Sequence, residues 1–112
     1  MSVSDVNVVV DDCRFLLCPR CSGTMMHHTK VEVFERDEDE DKVIRTDVGR
    51  YGTHVSIENN KHNPSLRRQG IRIWFMCEQC DFDNPKGITL IMAQHKGFTI
   101  TAWEEPEHWS AR

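Results

Sequence analysis

No apolar run in the chain approaches the roughly 18 residues that a membrane-crossing helix requires, which excludes a helical span. A secretion signal is also missing: Val8-Val9-Val10 is too short for its apolar core and follows Asp5, not a basic segment. A cytosolic, membrane-free setting is therefore expected. The sequence contains no H-E-x-x-H, no G-x-S-x-G and no phosphate-binding loop, so no common catalytic signature is present. Excess positive charge is lacking too: the formal net charge is −4. A chain of that sign is repelled by nucleic acid at a distance, so any such binding must be local.

The charge that is present is uneven. Residues 1–56 hold 11 acids against 7 bases, while residues 57–112 hold 7 of each. Glu35 to Asp41 packs six acids around Arg36 and reads as a solvated hairpin loop, 35–42, loosened by self-repulsion. It lacks the acid order and the glycine of a calcium-binding EF-hand loop. Its sharper reading is a cation-binding surface or a decoy that competes for a partner's nucleic-acid groove. Base follows downstream, and Arg67, Arg68, Arg72, Lys86 and Lys96, with Trp74, form the expected partner-binding surface. Guanidinium forks there suit phosphate or carboxylate equally, and an aromatic beside arginine is a stacking platform for single strands.

Five cysteines are present, four of them in two C-x-x-C pairs, Cys18/Cys21 and Cys77/Cys80. Two residues between thiolates let one tight turn aim both sulfurs at a single ion, and two such turns complete a tetrahedral four-sulfur shell. One structural zinc is the expected cofactor, and in a reducing compartment paired thiols are better explained by metal than by disulfides. For this to hold, the sulfurs of Cys18 and Cys80 must lie within about 5 Å, twice a metal–sulfur bond. Two rivals use the same cysteines. Cys13, Cys18 and Cys21 have the spacing of a plant-type [2Fe-2S] loop, but that cluster needs one distant cysteine where this chain supplies a pair. Cys18-Pro19-Arg20-Cys21 also matches a glutaredoxin turn, which needs a helix next; Thr29, Val31 and Val33 favour a strand instead. Cys13 is then a small buried hydrophobe or an idle thiol.

Cys18-Pro19-x-Cys21-x-Gly23, a series of β segments and Cys77-x-x-Cys80 before a closing hairpin resemble the zinc-ribbon fold. That resemblance implies an antiparallel sheet pinned by two knuckles, with no activity attached, since ribbons serve many roles. The second knuckle lacks the usual glycine, and 55 residues separate the pairs, so an extended ribbon is implied. The chain also resembles small standalone proteins of bacteria and their mobile elements, which implies an adaptor or a host-directed inhibitor.

The remaining pattern is that of a single, mostly β domain over residues 1–112, with tails at 1–12 and 104–112. Strands are expected at 25–34, at Val43-Ile44, at 53–57, at 71–77, at 88–95 and at 98–103. Val6, Val8 and Val10 alternate as an edge strand through which two chains could pair. Ile71, Ile73, Phe75 and Cys77 alternate with Arg72, Trp74 and Met76, which puts Phe75 in the core. Asp83 to Gly87 and Gln94 to Gly97 read as turns, and Trp109 as a residue that docks on the sheet. Adjacent His27 and His28 must face opposite sides of a strand. The function expected is non-catalytic: a zinc-stabilised module that binds a protein. Its alternatives are a nucleic-acid-binding ribbon, and a small enzyme assembled from His28, His54 and His95.

Overall fold

The computed structural model describes residues 5–80 and 87–105. They form one antiparallel sheet of six strands: β1 (Met26–Glu35), β2 (Lys42–Gly49), β3 (Gly52–Asn59), β4 (Gly70–Cys77), β5 (Ile88–His95) and β6 (Phe98–Glu104). Its spatial order is β3-β2-β1-β4-β5-β6. No α-helix occurs among the described residues, and none of them forms a helix long and apolar enough to cross a membrane. The mostly β expectation holds, with all six strands where the alternation put them. β2 is longer than Val43-Ile44 because Arg45, Thr46 and Asp47 pair through to the turn at Arg50-Tyr51. Lys96 and Gly97 close the β5–β6 hairpin at φ of 50° and 85°, the doubly left-handed turn whose twist matches that of its strands.

Four of the five links between strands join sheet neighbours, by hairpins or, for β4 to β5, through residues outside the described ones; the turn expected from Asp83 to Gly87 lies mostly, and Trp109 wholly, outside the described residues. The remaining link, β3 to β4, starts at one sheet edge and ends beside β1. It therefore has to cross a face, and residues 60–69 do so. Asn63 and Ser65 are buried within this crossing loop. The Asn63 amide donates to the Arg68 carbonyl, and its oxygen accepts from the Ser65 N–H. The Ser65 hydroxyl donates to the Gln94 carbonyl at 2.7 Å, which fastens the loop to β5.

Register sorts the side chains into two faces. Under the crossing loop lie Lys30, Glu32 and Phe34 of β1, Arg45 and Asp47 of β2, and Arg72 and Trp74 of β4. On the opposite face Ile88, Leu90 and Trp103 form the apolar core, with Ile73 and Phe75 packed on it. Phe75 meets Trp103 edge to face, ring centroids 6.0 Å apart, so its core placement is as expected. Val6 and Val8, with Leu16, cover this cluster. The N-terminal valines thus correct the expectation of an edge strand: Val6 and Val8 lie with Leu16 on the sheet face as a flap, which is folded on itself by a bridge between Val10 and Leu16. Burying Val6 and Val8 on Trp103 and Leu90 removes apolar area from water, which an edge position would not.

Candidate metal centre

The sheet order brings the two cysteine pairs together. β1 and β4 are antiparallel neighbours, so the turn that precedes β1 stands beside the turn that follows β4, with Met26 opposite Cys77. The Glu78 N–H continues the ladder to the Met25 carbonyl at 3.0 Å. Sulfur–sulfur distances across the pairs are 3.6 Å for Cys18 and Cys80 and 3.6 Å for Cys21 and Cys77. All four Sγ atoms lie within 4.8 Å of one another. Sulfurs around a tetrahedral ion at bonds of about 2.3 Å stand about 3.8 Å apart, so the cluster has the dimensions of a metal shell. Cys18 and Cys77 are buried, and Cys21 and Cys80 lie nearer the surface.

Each knuckle presents amides to its sulfurs. The Arg20 N–H points at Cys18 Sγ and the Gly23 N–H at Cys21 Sγ, both at 3.4 Å. The turn closes through Ser22 at φ 62°, whose N–H donates to the Cys18 carbonyl at 2.8 Å. Ser22, not Gly23, supplies the left-handed residue. Arg20 then ties this knuckle to the far side of the sheet, donating to the Gly87 carbonyl at 3.0 Å and pairing with Glu105 at 2.7 Å. Burial pushes the Cys18 thiol up, against the Arg20 and Cys21 amides. The Cys80 thiol is pushed up strongly, by burial first and then by the three neighbouring thiols. Cys77 is also penalised by burial, but amides of Cys80 and Gln79 outweigh it and its thiol is lowered. A dication reverses the crowding, because each thiolate then faces a positive charge instead of a neighbouring thiol.

Cys13 lies apart and is exposed, its N–H held by Asp11 Oδ1 at 2.8 Å. It is neither a fifth ligand nor the buried hydrophobe that one reading made it. The described residues contain no further group of three or more His, Cys, Asp or Glu side chains at metal-binding distance. His28, His54 and His95 sit on β1, β3 and β5 and are not brought together. His27 and His28 do face opposite sides, and His27 Nε2 meets Glu78 at 2.9 Å.

The expected partner surface is only partly assembled. Arg72 is 5% exposed, a correction to its assignment as a contact residue. Its guanidinium donates to the His62 carbonyl at 2.6 Å and faces Glu104 at 3.7 Å, because the crossing loop lies over it. Trp74 is half-buried, with its indole N–H donated to Glu32 Oε1, so the Trp74–Arg72 stacking platform does not form. Arg67 faces Glu38 at 3.7 Å and Asp39 at 3.6 Å. Arg68 and Lys96 are exposed, and Lys86 lies outside the described residues. The acidic run does link β1 to β2 but is not a free loop: Arg36 donates to the Leu66 carbonyl at 2.7 Å, and the Asp39 N–H to the Arg67 carbonyl at 2.8 Å.

Sequence reasoning missed the polar centre beneath the crossing loop. Glu32 is 0% exposed and binds Arg45 at 2.5 Å as well as Trp74. Arg45 also reaches Asp47 at 2.9 Å and Glu58 at 3.4 Å. Burial would lower the Arg45 pKa, but the Asp47 hydrogen bond and the charges of Glu32, Asp47 and Glu58 outweigh it and raise it. The only signal was charge at alternate strand positions, which solvated strands show as well.

Comparison with protein families, with curated proteins and with solved structures finds no match to this chain. The four-cysteine cluster on a six-stranded sheet is thus what the molecule itself offers for assigning its role.

Proposed function

We propose that the chain is a structural-zinc module of extended zinc-ribbon type that catalyses no reaction and works by binding another protein in a reducing, cytosolic setting. The observation that carries this is the cluster of four sulfurs at the junction of β1 and β4. Four thiolates fill a tetrahedral shell, so a zinc held there has no open position at which to activate water or substrate. Its contribution is to clamp the two central strands. A structural zinc supplies about 10 kcal/mol or more of apparent binding free energy, comparable to the whole net stability of a domain.

A protein partner is favoured over nucleic acid by what has happened to the basic residues. A phosphate approaching Arg67 meets Glu38 and Asp39 first, and Arg72 is covered. The mixed corner formed by the acidic loop, Arg67 and Arg68 suits a partner that carries both signs of charge, and it would speed association with one. An adaptor or an inhibitor of a host protein is the form this takes.

Elemental analysis is expected to give one zinc per chain. Iron with acid-labile sulfide would overturn the metal assignment. Affinity capture with the wild type beside Arg67→Ala/Arg68→Ala tests the corner: a protein retained by the first and lost by the second supports it. DNA or RNA bound at low salt and released steeply as salt rises would replace the protein reading with the nucleic-acid one.

A further inference from the structure

Among the described residues the flap lies on β4, β5 and β6, and over β1, β2 and β3 the apolar face is bare, with Val31 beside Val48 and Ile44 beside Ile57 in cross-strand rows. At the end of this face nearest the sulfur cluster the sheet is irregular. His28 lies opposite Phe75 and Lys30 opposite Trp74, so Thr29 is an extra residue that β4 does not match. Residues three apart on an unbroken strand point to opposite faces, but here the bulge sets His28, beside Phe75, on the same face as Val31, beside Ile73. β2 stops at Gly49, opposite Lys30, so Met26 to Thr29 run on with no described strand on that side of β1. A cavity of about 400 Å³ opens in the gap, lined by His28, Thr29, Val31, Val48, Gly49 and Arg50. No acid lines it. The side chains of His28 and Arg50 make no hydrogen bond or ion pair among the described residues; Arg50 stands 5.6 Å from the centre of the Tyr51 ring.

We infer that this notch captures the C-terminus of a partner protein, its carboxylate held by Arg50 and His28 and its last apolar side chain seated on Val31 and Val48. The terminal backbone adds to the open edge of β1 at Met26 to Thr29. This rests on the protein-binding reading above and names the part of a partner that is bound, on a surface separate from the charged corner. Three observations choose the occupant. The first is charge: in a chain of net charge −4, the cavity presents a guanidinium and an imidazole with nothing opposite them, and a guanidinium fork can donate two bonds to one carboxylate. The second is enclosure. Small ligands are held where most of their surface is buried, which an open sheet face does not provide, whereas a protein terminus brings its own body to cover the bare rows. The third is the backbone: the open side of Met26 to Thr29 flanks the cavity, so an extended terminus seated there pairs with it as an added strand.

A random peptide library displayed with free C-termini and selected on the zinc-loaded chain tests it. Peptides that end in an aliphatic residue should be enriched, and the tightest of them is then measured by fluorescence polarisation. Amidating its C-terminus and, separately, Arg50→Ala should each raise the dissociation constant at least about tenfold, with Arg50→Lys, which keeps the charge but loses the fork, in between. Val48→Asp should abolish binding, and the bound peptide should slow amide exchange within Met26 to Thr29. Arg50 is an exposed turn residue, so its variants keep the fold, which unaltered zinc content and circular dichroism certify. Arg67→Ala/Arg68→Ala should bind the peptide as the wild type does. A partner captured through the charged corner, with no peptide enriched here, would leave the protein reading standing and overturn this inference alone. A peptide whose affinity survives both amidation and Arg50→Ala overturns it as well. So does octanoate bound as tightly as the peptide, which would make the notch a site for small amphiphiles.

Discussion

The two faces of the sheet are built from the same strands and have opposite fates. Beneath the crossing loop lies the charged face, and it is sealed: Glu32 and Phe34 are 0% exposed, and Arg45 and Arg72 both stand within cation–π distance of the Phe34 ring. The other face is apolar, and among the described residues the flap covers only its β4–β6 half. Hydrophobicity alone would assign the cover the other way round. What decides is connectivity, because β3 must reach β4 across one face, and the loop that does so carries its own hydrogen bonds and accepts those of Arg72. Burial of the polar face is then tolerable because each charge meets partners there. The bare apolar rows are the complement of that choice.

The harshest way to break the comparison is to remove what both faces share. Each depends on β1 lying beside β4, and the sulfur cluster holds the open end of that pair. Chelation, or Cys77→Ser, is expected to remove about 10 kcal/mol of apparent stability and unfold the sheet, read by circular dichroism with zinc release. Acid should do the same, with a definite sign. Ligands bind as thiolates, so zinc leaves as pH falls. Because burial pushes the Cys18 and Cys80 thiols up, protons compete for these sulfurs earlier, and release should begin at a higher pH than for four unhindered thiols.

Next in size is a cut into one face only. Glu32→Ala leaves Arg45 buried with part of its compensation gone, and breaking a buried pair of this kind costs about 3–5 kcal/mol in denaturant unfolding. Ile57→Thr on the opposite face, where Ile57 is 72% exposed, should change stability by less than about 0.5 kcal/mol. Equal effects from the two would mean that the faces are not buried as described.

That contrast also marks where the sequence is legible. All six strands follow from alternation, and the four-sulfur cluster from two C-x-x-C pairs, because both are local patterns whose geometry needs few residues. The pairing of strands is what turns two turns into one four-sulfur cluster; that the two pairs meet was expected from their spacing, whereas the order β3-β2-β1-β4-β5-β6 that brings β1 beside β4 was not. Arg72 and Trp74 were misplaced for a different reason. Their fate depends on a loop ten residues away folding back over them, and nothing in the alternation of Ile71 to Cys77 tells which side is covered. Trp103 shows the same limit: it is buried, while Phe98 on the other face of β6 is 72% exposed. The N-terminal valines alternate as an edge strand would, and only the apolar cluster they meet makes them a flap.

A finer cut separates the two sides of the crossing loop itself. Ser65, 2% exposed, donates to Gln94 and accepts from the N–H groups of Arg67 and Arg68. Ser65→Ala strands a buried carbonyl and two amides, which costs about 1–3 kcal/mol, and should expose Glu32 and Arg72 to faster hydrogen exchange around them.

Outside, the same loop is held by the acidic run. Arg67 stands 3.7 and 3.6 Å from Glu38 and Asp39, with 37% of its own side chain and about 60% of theirs exposed. Water and salt screen such pairs, and exposed ion pairs contribute about 0.2–1 kcal/mol. Arg67→Ala should therefore cost under about 1 kcal/mol in denaturant melts, and added salt should erase the difference from wild type. The backbone bonds of Arg36 to Leu66 and of Asp39 to Arg67 remain in that variant, so the loop stays in place. A loss as large as that of Ser65→Ala would mean that the polar face is sealed from outside by charge, and the order of the two clasps would be reversed.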